Sequence, residues 1–506
     1  MRFSLEATME FSKPIDFLKL DFPKLIARIN SELFRKGVPQ EQEGSRIVHW
    51  NIIGTKLILT IEGSTYLRPH DALLRLRKFL AQKFGREYNI GVRSIFVKNY
   101  EIRFKPKRMP KEKVEVKVPW VKEIVQKDKE LLVKLQDLDS TALEDRYVER
   151  ILKRIEEKIN QKLYGGKAEH WELIWKSRKR KVVWDKDPTP EMERRGWIKR
   201  FNVGVWLHMP ITTKIMRTFQ KIAEREILRP LKFEEVMLPK TVPLEVWLQT
   251  GHVPGSSNSF FYVCRPEKWD PEFWEDFADW VKVTRKIPYD LLKEKLAEPN
   301  AGICFAQCPP LYWYFKKKLI PEKELPLKFW DASGVSYRWE GGGLHGIERD
   351  CEFHRIEIVW IGTKEQVIDI KEKLLERFKR IFDKILELEW RMARVTPWYM
   401  AQAGQLGLEE EKEIGTIDFE AWLPWRGPRE KSEWLEFQNL TVAGTKFSDA
   451  WNFKTEKGKE IWTGCSGIGL ERWLAVFLAQ KGLEPKKWPK KFVKILGKLP
   501  KEIKLI

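Results

Sequence analysis

The chain has 506 residues, which is too many for one hydrophobic core and predicts about two to four domains. Its 42% apolar and 33% charged residues argue against a disordered protein, and no apolar run is long enough to cross a bilayer. The start, MRFSLEATMEF, lacks the charged and apolar regions of a signal peptide, so we expect a cytoplasmic protein.

The formal charge of +21 is the first indication of a partner. An excess of Lys and Arg favours polyanions, because each cation can replace a counterion on a phosphate backbone. A Lys-rich thermophile surface would give the same composition, so charge alone leaves both interpretations open.

Residues 1–110 show short segments with the periodicities of strands and helices in the order βαββαβ. This order predicts a compact α+β module with helices on one side of an antiparallel sheet. The predicted helix at 68–88 has a basic outer face, which would suit an RNA backbone but is also typical of a solvated helix.

Residues 118–165 carry a strongly helical pattern that ends at Gly165-Gly166. From about residue 195 the sequence changes to strands rich in Trp, Gly and Pro. We therefore predict an N-terminal domain at 1–165, a linker at 166–200 and a second domain at 201–506. The Lys-rich end of the chain, 484–506, could pack as an amphipathic tail or contact phosphates, and the sequence does not decide between them.

The five cysteines are scattered and odd in number, so a disulfide framework is not expected in a cytoplasmic chain. Free core thiols and metal ligands are the remaining options. The cysteines are Cys264, Cys304, Cys308, Cys351 and Cys465.

Three segments of the second domain share one pattern: a predicted strand, a turn and an arginine. The first, 229–244, is a helix end followed by a strand that closes on Pro239. The second, 329–363, predicts an antiparallel hairpin with a glycine-rich loop. The third, IWTGCSGIGLERWL at 461–474, places Arg472 at the start of a helix.

The hairpin brings together residues that suit a nucleoside triphosphate. Arg338 and Arg349 can each donate paired hydrogen bonds to phosphate oxygens, and the glycines between them allow close approach. Phe353 could stack on a base, and Glu340 ends the first strand. Each residue alone is more often a surface ion pair or a packed aromatic, but the set is harder to explain in that way.

Together these segments resemble the three signature motifs of class II aminoacyl-tRNA synthetases, over roughly 200–485. The stretches FAQCPPLYWYF, YRWEGGG, VWIGT and WTGCSGIG are similar to the zinc-dependent, type-2 seryl-tRNA synthetases of methanogenic archaea. The resemblance implies an α+β fold: an antiparallel catalytic sheet flanked by helices, preceded by an α+β domain that binds tRNA.

The resemblance also implies a Zn²⁺ ion held by Cys308, Glu357 and Cys465, whose wide spacing suggests strands of one sheet. Two thiolates and a carboxylate leave a tetrahedral zinc one open position. Cys304 is the rival for the first ligand position, but AQCPP carries the family match. We expect Cys264 and Cys351 to be ordinary buried thiols.

By the same resemblance, the reaction attaches serine to tRNA(Ser) through a seryl-adenylate formed from ATP, in a homodimer. Zinc holds the serine amino group, and Mg²⁺ accompanies the phosphates. The implied ATP-binding residues are Arg338, Glu340, Arg349, Phe353, Glu436 and Arg472, of which Arg338 and Arg472 are catalytic. The implied serine-binding residues are Trp398, Gln402, Asn439 and Thr441.

Two alternatives remain at this point. A threonyl-type synthetase also holds its amino acid with zinc, but through one Cys and two His, and neither His345 nor His354 sits at a matching position. A non-catalytic, RNA-binding paralogue would usually lose phosphate-binding arginines, which this chain keeps.

Overall fold

The structure, a computed structural model, describes residues 1–18, 20–106, 109–110, 112–127, 129–163, 171–304, 306–395 and 413–503. Its described part forms two compact units, one up to residue 163 and one from residue 171 onward. Each unit has a hydrophobic core of its own. None of the helices described is both long and apolar enough to span a membrane.

The first unit is a six-stranded antiparallel sheet in the order β2-β3-β1-β4-β6-β5 with helices packed against it. Its elements are β1 Arg2–Phe11, α1 Phe22–Arg28, β2 Arg46–Ile53, β3 Lys56–Gly63, α2 Pro69–Tyr88, β4 Val92–Phe104, β5 Val121–Lys127, β6 Glu130–Asp139, α3 Ser140–Glu144 and α4 Tyr147–Leu163. The predicted order βαββαβ is confirmed through β4. Alternate residues of β1, such as Leu5 and Met9, are buried because a strand presents every second side chain to one face.

The prediction of continuous helix over 118–165 is wrong for its first half. Val121–Lys127 and Glu130–Asp139 form a hairpin, and only α3 and α4 follow it as helices. Leu131, Val133 and Leu135 are buried at a period of two, which Leu132, an apolar residue on the opposite face, hid in the sequence. Pairing of β6 with β4 satisfies the backbone of this segment and overrides its helical propensity.

The second unit is built on a nine-stranded sheet in the order β10-β15-β17-β22-β20-β19-β18-β7, with β16 also paired to β17. All pairs in it are antiparallel except β10 with β15. Its elements are β7 Trp171–Lys176, α5 Pro188–Arg194, β8 Ile198–Asn202, β9 Val205–His208, α6 Pro210–Ala223, β10 Glu234–Glu235, β11 Thr241–Pro243, α7 Leu244–Gln249, α8 His252–Ser256, β12 Tyr262–Val263, α9 Glu275–Thr284, α10 Tyr289–Lys295, β13 Ala301–Ile303, α11 Cys308–Tyr314, β14 Leu319–Ile320, β15 Leu327–Asp331, β16 Val335–Tyr337, β17 Glu352–Gly362, α12 Lys364–Arg380, β18 Trp390–Val395, β19 Gly415–Ala421, β20 Leu435–Gly444, α13 Lys446–Trp451, β21 Lys454–Thr455, β22 Trp462–Gly469, α14 Leu470–Lys481 and α15 Lys490–Leu496. The strand predicted before Pro239 is only the two residues of β10.

The large sheet separates two hydrophobic layers. On one face, Ile358 and Trp360 of β17 pack with α6, α12 and α14. On the other face, Val359 and Ile361 pack with α7, α11 and α13. The even and odd positions of β17 therefore belong to opposite layers, and this alternation determines where its polar residues point.

The Lys-rich end of the chain is part of the first of these layers. Phe492 and Leu496 of α15 are buried, and the ring of Phe492 lies 5.5 Å from that of Phe219 and 4.5 Å from that of Phe477. The described part of the tail thus packs as an amphipathic helix.

Candidate active site

The candidate site lies on the odd-numbered face of β17, where three central strands are in register. Arg355 pairs with Gly469 and Glu357 with Gly467 of β22, and Gly467 pairs in turn with Asn439 of β20. Paired residues of adjacent strands point to the same face, so these positions share one surface.

Arg338 and Arg349 meet at one carboxylate at the tip of the β16–β17 hairpin. The predicted hairpin is confirmed, with Val335 opposite His354 and Tyr337 opposite Glu352. Glu340 Oε1 lies 3.1 Å from Arg338 Nε, and its Oε2 accepts a hydrogen bond of 3.0 Å from Arg349 Nε. Burial lowers the pKa of Arg338, and the neighbouring Arg472 and Arg349 add to this, so the cleft is rich in positive charge.

Arg472 lies in the first turn of α14, as predicted, and enters the same cleft. Its Nη1 donates to both the main-chain oxygen of Glu436, at 2.8 Å, and the Glu436 carboxylate, at 3.0 Å. Burial lowers the pKa of Arg472, but Glu436 and Glu340 outweigh this effect and hold it above its usual value. The guanidinium is therefore fixed in position and always charged.

The neighbouring Glu471 has a structural role. It is buried, and its carboxylate accepts hydrogen bonds from the main-chain N–H of His354, at 2.8 Å, and pairs with His354 Nδ1 at 2.6 Å. This bond raises the pKa of His354. Since the contact ties α14 to β17, it fixes the helix that carries Arg472 against the strand that carries Glu357.

Cys308, Glu357 and Cys465 converge next to Arg355, which itself lines the cleft. One ligand atom from each lies within 4.8 Å of the others. The hydrogen bond with Cys465, followed by burial, raises the pKa of the Cys308 thiol, and burial raises the pKa of Glu357. Glu357 Oε1 is buried without a hydrogen bond of good geometry. Two sulfur donors and one oxygen from a buried carboxylate fit a Zn²⁺ ion.

The other cysteines do not join this group. Cys304 is fully buried, with its Sγ 3.5 Å from the Ala306 carbonyl oxygen, and burial raises its pKa to about 12. Cys351 is buried, as expected, but the expectation that Cys264 is buried is wrong, because it is exposed. The expectation that all three grouped residues lie on strands is also wrong: Cys308 is the first residue of α11, which packs on this face of the sheet.

The remaining predicted residues divide into three groups. Phe353 and Asn439 line the cleft together with Arg338 and Arg472. Thr441 is opposite Cys465 in register, and its hydroxyl is hydrogen bonded to that of Thr416 at 2.7 Å. Trp398 and Gln402 lie outside the described residues.

Four further residues line the cleft that the sequence did not single out: Asp350, Arg355, Phe437 and Gln438. Arg355 is the most informative, since its Nε lies 2.7 Å from Glu357 Oε2 and its side chain is only 16% exposed. It stands between the metal-ligand group and the arginine cleft. Its position two residues before Glu357 on a strand was the signal that could have identified it.

Comparisons with known proteins agree with this architecture. Residues 1–157 match the family described as a tRNA-binding domain, and residues 297–481 match the class II tRNA synthetase core domain (G, H, P, S and T). The chain is 45% identical to the type-2 serine–tRNA ligases of Methanococcoides burtonii and Methanothrix thermoacetophila, over 100% of this chain and of each relative. A crystal structure of A. aeolicus tRNASec in complex with M. kandleri SerRS is similar to it with a TM-score of 0.85 and 31% identity, covering 99% of this chain and 98% of that chain.

The sheet and its flanking helices thus form the core domain of a class II aminoacyl-tRNA synthetase, and the arginine cleft lies within it. The predicted α+β fold is confirmed. The chain belongs to the type-2 serine–tRNA ligase family.

Proposed function

We propose that this protein attaches serine to tRNA(Ser) in two steps, through a seryl-adenylate intermediate. The main supporting observation is that the odd positions of β17 place Phe353 and Arg355 in the cleft and Glu357 in the metal-ligand group, with Arg355 in contact with Glu357. A small amino acid held at the metal-ligand group would then present its carboxylate toward the phosphates in the cleft.

The first step needs neutralised charge and alignment of the two reacting groups more than a proton acceptor. Arg338 would hold the α-phosphate and the attacking carboxylate, and Arg349 and Arg472 would hold the β- and γ-phosphates of ATP. Phe353 would stack on the adenine, with Glu340 near its amino group. Glu436, already beside Arg472, would supply a carboxylate to Mg²⁺.

Cys308, Glu357 and Cys465 would hold Zn²⁺, which when bound supplies an open coordination position for the serine amino group. Arg355 would orient the Glu357 carboxylate and contribute positive charge where the serine carboxylate meets ATP. Asn439, which lines the cleft, and Thr441, beside Cys465 in register, would meet the serine hydroxyl. Trp398 and Gln402 complete the proposed serine-binding set.

The partners belong to the same proposal. The N-terminal unit, which matches a tRNA-binding domain, would bind tRNA(Ser) through its backbone and shape. A cytoplasmic homodimer is proposed from the family resemblance. Light scattering at micromolar concentration tests the dimer, and a monomer mass would refute it.

ATP–pyrophosphate exchange with each amino acid tests the activity without tRNA. Serine should stimulate exchange, and a chelator should abolish it. Exchange with threonine but not serine would instead favour the threonyl alternative. If no amino acid stimulates exchange, the non-catalytic paralogue would be favoured.

A matched pair of cysteine variants tests the metal. Cys465→Ala should lose both zinc and serine-dependent exchange, because it removes one of three ligands. Cys304→Ala should keep both, because its buried thiol lies outside the group. Equal zinc content in the two variants would refute the ligand assignment.

A further inference from the structure

A basic groove lies on the surface of the second unit, between three helices that the proposed reaction does not use. It is formed by the end of α6, the end of α12 with its continuation Ile381–Ile385, and α15, and it has a volume of about 970 Å³. We call it the rear groove. Its lining residues are Lys221, Arg225, Glu226, Lys379, Arg380, Asp383, Lys384, Ile385, Lys491, Lys494 and Ile495.

The charge in the rear groove is strongly unbalanced, with seven cationic side chains against two carboxylates. Both carboxylates are already engaged. Glu226 lies 2.9 Å from Arg225 Nη2 and 3.2 Å from Arg380 Nε, and Asp383 accepts a hydrogen bond of 3.0 Å from the Trp390 indole. The groove therefore keeps an excess of positive charge.

Five lysines line the groove, and four of them are exposed: Lys221, Lys384, Lys491 and Lys494. None of these four forms an ion pair with another residue in the described part of the chain. They come from three different helical segments and line one concavity. Convergence of this kind raises the local potential, since each cation adds to the field of the others.

The groove is also held in a fixed shape. Phe492 lies between Lys491 and Lys494 in α15, and its ring packs against Phe219 of α6 and Phe477 of α14. Lys491 and Lys494 are three residues apart on a helix and so lie on neighbouring positions of one face. Ordering their main chain costs nothing further when a ligand binds.

The rear groove and the candidate active site use opposite layers of the sheet. The groove helices α6 and α12 pack with the even positions of β17, and α15 packs on α6, whereas Arg355 and Glu357 occupy the odd positions. A ligand in the groove therefore does not enter the catalytic cleft.

We propose that the rear groove binds the phosphodiester backbone of a nucleic acid. Its lining offers only Ile385 and Ile495 as apolar contacts, so a protein partner would lack the apolar, charge-depleted centre typical of protein interfaces. A line of phosphates needs no such centre, because its affinity comes from cations that displace counterions. The groove is a second nucleic-acid contact, separate from the match of the N-terminal unit to a tRNA-binding domain.

The test compares two triple variants of the full-length protein that lose the same charge. The groove variant is Lys384→Gln/Lys491→Gln/Lys494→Gln, and the control is Lys286→Gln/Lys318→Gln/Lys323→Gln, at exposed positions of the same unit. Binding of a fluorescent 20-nucleotide oligo(U) RNA, and of the DNA of the same length, is measured by anisotropy from low to high salt. Serine-dependent exchange, which uses no tRNA, serves as the check that both variants are folded.

The groove variant should bind oligo(U) at least tenfold more weakly than the control at low salt. The slope of log affinity against log salt should fall by about 2, since each lost single-strand phosphate contact removes about 0.7. Loss with both RNA and DNA supports backbone recognition in general, and loss with RNA alone supports an RNA ligand that is also read through its 2′-hydroxyls.

Equal affinities and slopes for the groove variant and the control would overturn the proposal. So would a groove variant that loses binding to a poly-glutamate peptide while its binding to oligo(U) is unchanged. The single variant Lys384→Glu provides an independent charge reversal should the triple variant fail the exchange check.

Discussion

Gly467→Ala is expected to inactivate the enzyme by adding a single methyl group on β22. A Cβ at residue 467 would overlap the guanidinium of Arg355, at a separation well inside the 3.0 Å that real Cβ atoms respect. The backbone at Gly467 does not need a positive φ, so alanine is compatible with the strand itself. The guanidinium must therefore move by about 1 Å or more, and it cannot keep its 2.7 Å contact with Glu357.

The size of the effect follows from this displacement. A misplacement of about 1 Å in a group that positions a reactant costs on the order of 100-fold in rate. This corresponds to about 2.7 kcal/mol of transition-state stabilisation. We expect a loss of this size in kcat/KM for serine in ATP–pyrophosphate exchange, with little change in the melting temperature or zinc content.

Three further variants identify the cause. Arg355→Lys replaces the planar guanidinium with an ammonium group and should give a similar loss. The double variant Gly467→Ala/Arg355→Lys should be no worse than either single one, because both changes act through the same side chain. Gly85→Ala, whose methyl would meet nothing within 4 Å, is the control for an added methyl and should keep full exchange activity. Wild-type exchange in Gly467→Ala, or losses that multiply in the double variant, would refute the reasoning.

Three other predictions concern separate parts of the molecule. Arg472→Ala should lower exchange by about 10²–10³-fold, because a fixed cation is removed from the phosphate cleft, and an unchanged rate would contradict that role. Glu149, whose pKa is lowered to about 2 by the hydrogen bond with His70, should stabilise the first unit by roughly 1–2 kcal/mol above its ordinary pKa of 4.5. Since the folded pKa is depressed, the stability difference between wild type and Glu149→Gln should shrink as the pH of a urea titration falls below 4.5, and a constant difference would argue against it. Phe492→Ala should lower the free energy of unfolding, measured by chemical denaturation, by about 3–5 kcal/mol, because Phe492 is packed in the core. The control Lys490→Ala, at an exposed position, should lower it by less than about 0.5 kcal/mol. Equal losses would mean that α15 is not part of the core.

The sequence predicted the parts of the site that are local in the chain. The β16–β17 hairpin and the position of Arg472 at the start of α14 depend on short-range periodicity and glycine placement, and both are present. The grouping of Cys308, Glu357 and Cys465 could not be derived from spacing, because it depends on the register of β17 with β22 and on the docking of α11. Only the family resemblance supplied it.

The errors have the same physical origin. Val121–Asp139 has a charge pattern that suits a helix, and only its long-range pairing with β4 makes it a hairpin. Arg355 was passed over although it lies two residues before Glu357 on a strand, because that spacing gains meaning only once Gly467 of the neighbouring strand is known to leave space for the side chain. In both cases the structure depends on residues that are distant in the sequence, which a local pattern does not reveal.

Glu340 gives the proposed ATP cleft a counterion of its own. Because this one carboxylate holds both Arg338 and Arg349, triphosphate binding there would be an exchange of anions in which the incoming oxygens must replace an ion pair already made. A ligand with a single phosphate would make too few contacts to offset the loss of the Glu340 ion pairs, whereas a triphosphate could contact Arg338, Arg349 and Arg472 together. The built-in carboxylate would therefore act as a threshold that favours ATP over AMP and inorganic phosphate.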